Sequence, residues 1–89
     1  MQIRTTIEFW QKGDWVIAKI PELDFVTQGR TMEEAKSNIQ EVVRIQFEEM
    51  RELGTLEDYL AECGFEIKGD TVEPLYEMIG FEKQFLRVN

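Results

Sequence analysis

The chain has 89 residues, 43% of them hydrophobic and 11% aromatic, which suffices for one small core and is too short for two domains. Eighteen acids against ten bases, no histidine and a single cysteine exclude a phosphate-gripping basic surface, an internal disulfide and a thiolate zinc cluster. The charge is also uneven: residues 1–44 hold 7 acids and 6 bases, residues 45–89 hold 11 acids and 4 bases, and such a surface suits a basic protein partner rather than nucleic acid.

Ile3, Thr5, Ile7 and Phe9 alternate with Arg4, Thr6, Glu8 and Trp10, the period-two pattern of a strand with one buried face. Gly13 in Lys12-Gly13-Asp14 marks a hairpin turn into a second strand, Trp15 to Ile20, with Val16, Ala18 and Ile20 on one face and Trp15, Ile17 and Lys19 on the other. Pro21 removes a ladder donor and stops it. A short third strand, Phe25 to Gln28, ends at Gly29, and Thr31-Met32-Glu33-Glu34 reads as a capping box opening a long helix over 32–53. In that helix Met32, Ala35, Ile39, Val42, Val43, Phe47, Met50 and Leu53 fall in one stripe about 140° wide, which packs on the sheet.

Gly54 ends the helix, and Thr55-Leu56-Glu57-Asp58 repeats the capping pattern before a short second helix closed by Gly64. Gly69-Asp70 between Phe65–Lys68 and Thr71–Glu73 is a two-residue hairpin signal that sets Ile67 opposite Val72. From Leu75 onward two readings stand: a helical turn at Leu75, Tyr76, Met78 and Ile79, or a terminal strand or partner-binding arm built on Phe85, Leu86 and Val88. No repeat or low-complexity linker divides the chain, so residues 1–89 are read as one α+β domain: a mainly antiparallel sheet with the long helix on one face.

The sequence is poor in catalytic groups. Without histidine, a cysteine base or a glycine-rich phosphate loop, only Glu8, Asp14, Glu22 and Asp24 could gather at a metal, and these acids are read as solvated residents of turns and exposed strand faces. No catalytic residue, cofactor or metal ligand is assigned. Trp10, Trp15 and Ile17 are more informative, because alternation puts them on the sheet face opposite the helix; they form either a Trp10–Trp15 pair that tightens the hairpin or an apolar patch for a protein partner. Phe25, Ile45 and Phe85 join them as candidate partner or oligomer contacts. With no run of about 18 apolar residues and no basic leader ahead of an apolar stretch, the expected setting is the cytoplasm, away from membranes.

The segments Gly13-Asp14-Trp15-Val16-Ile17-Ala18-Lys19-Ile20-Pro21-Glu22-Leu23, Thr27-Gln28-Gly29-Arg30-Thr31-Met32-Glu33-Glu34-Ala35 and Asn38-Ile39 together resemble the HicB-like antitoxin family over residues 1–53. Gly13, Pro21, Gly29, Thr31 and Glu34 carry the motif as scaffold residues. The resemblance implies a β-β-β-α-β fold like a truncated ribonuclease H, and a non-enzymatic protein that binds and masks a small basic ribonuclease toxin. Residues 24–26 depart from the family's Leu-Pro-Gly-Cys loop, Lys36 takes an often apolar position, and residues 54–89 are acidic where many members carry a DNA-binding domain. Direct DNA binding is therefore not expected. The alternative is a solitary HicB-fold protein without a toxin. In either case a chain this short, with the apolar patch and tail just described, is expected to associate as a homodimer or tetramer.

Overall fold

The computed structural model describes residues 1–89. Eight elements follow in order: β1 Gln2–Ile3, β2 Glu8–Lys12, β3 Trp15–Ile20, β4 Phe25–Gly29, α1 Met32–Leu53, α2 Leu56–Glu62, β5 Phe65–Lys68 and β6 Thr71–Pro74. The class is α+β. The strands form two three-stranded sheets, β2-β3-β4 and β1-β6-β5.

The first sheet is antiparallel throughout, with Phe9 opposite Ala18 and Ala18 opposite Thr27. Its tight β2–β3 turn depends on Gly13, whose φ of +60° places it where a side chain would be strained. Val16, Ala18 and Ile20 alternate inward and are buried, while Trp15, Ile17 and Lys19 turn to the other face, as the period-two pattern requires. The buried face receives α1, which contributes Ala35, Ile39 and Phe47 to one core with Leu23, Leu56, Leu60, Phe65 and Val72. Full burial of Ile20, Leu23, Ile39, Leu60 and Val72 stabilises by roughly 1.5–3 kcal/mol each. At the two ends of the stripe, Met32 and Leu53 remain exposed.

The strand expected from Ile3 to Trp10 is broken in two. β1 leaves the first sheet and pairs parallel with β6, with Gln2 opposite Thr71 and Ile3 opposite Val72. Glu22 explains the break. It is only 7% exposed and accepts hydrogen bonds from the Thr5 hydroxyl (2.9 Å) and the Thr6 N–H (3.2 Å), holding the chain between the two strands in a bend. The expectation of a solvated Glu22 is thereby corrected: polar atoms at the kink needed an acceptor, and the residue after Pro21 supplies it.

Pairing of Ile67 with Val72 across Gly69-Asp70 occurs as expected. No terminal strand forms beyond β6. Leu75 N–H donates to the Gly64 carbonyl (2.8 Å), the Tyr76 ring lies against Gly64 and Arg4 pairs with Glu77, after which residues 79–89 leave the body without regular structure. The radius of gyration, 15.3 Å, exceeds the about 12 Å of a compact chain this long because of this projecting segment. No helix is long and apolar enough to cross a membrane.

Candidate protein-interaction surfaces

The motif residues build the joint between β4 and α1. A Cβ on Gly29 would lie 2.7 Å from the Ala35 nitrogen, so only glycine lets the strand end touch the first turn of the helix. Thr31 Oγ1 accepts from the Glu34 N–H (3.0 Å), and the Glu34 carboxylate reaches back one residue beyond the cap to accept from the Arg30 N–H (3.2 Å), a variant of the capping box. Asn38 Nδ2 donates to the Gln28 carbonyl at 2.8 Å, a second tie from helix to strand. Pro21 stands at the turn after β3, and Leu23 behind it is buried. All of these residues serve the scaffold.

The open face of the first sheet holds Glu8, Trp10 and Lys12 on β2, Trp15, Ile17 and Lys19 on β3, and Val26 and Gln28 on β4, as the register dictates. Trp10 stands opposite Ile17 and is 52% exposed, while Trp15 stands opposite Lys12. The tryptophans do not pair with each other. Each takes a cation instead: Arg30 lies 4.0 Å from the centre of Trp15, and the Lys19 ammonium lies 5.7 Å from that of Trp10, whose indole N–H also donates to Glu8 (3.3 Å). The result is a flat apolar strip, Trp10, Ile17 and Val26, bordered by bases.

Phe25 does not belong to this face. Its register opposite Ile20 turns it toward the helix, where it meets Phe47 edge-on at 6.5 Å and stacks on Tyr59 at 6.3 Å. Tyr59 then donates from its hydroxyl to the Leu23 carbonyl at 2.6 Å, and burial, with Cys63 and Asp24 nearby, pushes its phenol up to about 12. This small aromatic cluster escaped sequence reasoning, because alternation does not carry through the turn at residues 21–24 and the face of Phe25 follows only from its register opposite Ile20. Ile45 is exposed on α1 away from the sheet, and Phe85 lies in the projecting segment. The six candidate contact residues thus fall in four places, with only Trp10, Trp15 and Ile17 together.

Two other surfaces stand out. Along the C-terminal half of α1 and over α2, Glu49, Glu52, Glu57, Asp58 and Glu62 are exposed and make no ion pair, whereas Glu41 and Glu48 are bridged by Arg44. The Arg44 hydrogen bond holds the Glu41 carboxyl below its usual range. On the opposite flank of α1 a groove of about 230 Å³ runs beside β1, with Met1, Ile3, Val43 and Phe47 as its apolar lining and Arg44, Glu48 and Arg51 along its rim. Glu8, Asp14, Glu22 and Asp24 do not converge: no three His, Cys, Asp or Glu side chains come together as a metal site would need.

Comparison with protein-family models, with curated proteins and with solved structures returned no match.

Proposed function

We propose that the protein is a non-enzymatic, HicB-like binding module of the antitoxin type, which covers a small basic ribonuclease in the cytoplasm and masks it. The acidic band on α1 and α2 carries this reading. Five unpaired carboxylates held on two rigid helices create a fixed negative field, the property that draws a basic partner in quickly and orients it. The motif segments of residues 13–39 support it by their likeness to the family.

The test is to mix the protein with the small basic protein of the neighbouring reading frame and follow RNA cleavage. Cleavage should stop at stoichiometric amounts, and the association rate should fall about tenfold or more as salt rises from low to physiological strength. A salt-independent rate, or uninhibited cleavage, removes the reading. The protein alone should leave RNA intact with magnesium or manganese; metal-dependent cleavage lost in Glu8→Gln or Asp24→Asn would make it an enzyme instead. A second reading, a solitary homo-oligomer, draws support from the exposed apolar tail.

A further inference from the structure

Residues 79–89, Ile-Gly-Phe-Glu-Lys-Gln-Phe-Leu-Arg-Val-Asn, are the least protein-like surface of the molecule. Ile79 is 102% exposed and Phe85 107%, with Phe81, Leu86 and Val88 nearly as open. Isolated exposed apolar residues are ordinary, but five within eleven are not. The segment is also held ready. Its base is fastened by the Leu75–Gly64 hydrogen bond, the Tyr76 ring on Gly64 and the Arg4–Glu77 pair, and Gly80 follows in open space.

We propose that this arm docks on a second copy of the chain, in a reciprocal two-fold exchange, seating Phe85 in the groove between β1 and α1. Charge selects that occupant. The arm carries Lys83 and Arg87 against Glu82, a net +1, while residues 1–78 hold 8 bases and 17 acids, a net −9. An arm of this kind is complementary to the body of its own chain and would be repelled by a basic partner. The groove is concave and lined by Met1, Ile3, Val43 and Phe47, where the open sheet face is flat, so it is the surface shaped to take an aromatic ring.

The area suffices. Four phenylalanines from two arms, at roughly 150–250 Å² each, contribute about 600–1,000 Å², and the surface they cover contributes a similar amount. Together these enter the roughly 1,200–2,000 Å² range of stable interfaces. Within a single chain the arm does not occupy its own groove, since Phe81 and Phe85 both stand exposed. Self-association is separable from capture of a basic ribonuclease, since it is measured on the protein alone.

The experiment replaces Phe85 with p-benzoylphenylalanine in the full chain, mixes isotope-labelled and unlabelled copies, irradiates, and maps the adducts by mass. Adducts joining two copies at Ile3, Val43 or Phe47 are expected. Adducts within one copy, or on the Trp10, Ile17 and Val26 strip of the other, overturn the proposal. Sedimentation should give a dimer at micromolar concentration, and Phe81→Ser with Phe85→Ser should weaken it by at least about a hundredfold while leaving the circular dichroism spectrum unchanged. A monomeric wild type, or a double variant that stays dimeric, rules the arm out.

Discussion

Two isoleucines forty residues apart mark the extremes of this molecule. Ile39 is wholly buried under the sheet and Ile79 is wholly exposed, although the side chain is the same. Ile39 belongs to a stripe whose spacing matches the helix and whose partners, Val16, Ala18 and Ile20, alternate on the facing strand. Ile79 lies past the Leu75–Gly64 and Arg4–Glu77 contacts that tie the segment to the body. Apolar residues are buried by geometry as much as by hydrophobicity, and where geometry supplies no partner within the chain the partner is sought outside it.

If the body is a tight unit, its joints should fail first. Gly29→Ala drives a Cβ into the backbone of α1, and no flexible side chain there can yield, so a loss of about 2–3 kcal/mol is expected in urea unfolding. A neutral variant would show that β4 and α1 are less closely joined than described.

Tyr59→Phe removes the donor to the Leu23 carbonyl and leaves that oxygen unsatisfied, at a cost of about 1–2 kcal/mol. The same phenol gives a pH signature. Because the folded state raises its pKa from 10.0 to about 12, its contribution is intact below about pH 10 and lost as pH rises toward 12. The chain has two tyrosines, so the check is the difference between the two absorbance titrations: a tyrosinate step near pH 12 in the wild type that the variant, keeping only Tyr76, lacks. Thr31→Ala should cost about 1 kcal/mol through the lost cap.

The strands and helices of the body were legible because their signals are local. The hairpin turns, the capping box at Thr31 and the stripe from Met32 to Leu53 each follow from neighbours a few residues apart. Four features were not, and each involves partners outside the local window. The break between β1 and β2 depends on Glu22, sixteen or more residues away, and on β6 capturing β1. The Phe25–Tyr59 stack likewise joins residues that no window sees together. Among the candidate contacts, Trp10, Trp15 and Ile17 were placed on the open face by alternation alone, but the cations over the two rings come from register and from Arg30 beyond the strand. The groove beside β1 was invisible because it exists only where α1 crosses a strand whose position was itself unforeseen.

The smallest effect should come from the arm. Phe81→Ser with Phe85→Ser should leave the stability of the isolated chain unchanged within about 0.5 kcal/mol, since neither ring touches the body, and should abolish any rise of Tm with protein concentration. A stability loss at high dilution would mean that the rings pack within their own chain.

Hydrogen exchange at two protein concentrations probes the contrast between body and arm most directly. At high dilution the amides of α1 should be protected and those of residues 79–89 should exchange freely; at concentrations that favour the dimer the arm should become protected while α1 changes little. Protection of the arm at every dilution, or at none, would contradict the account.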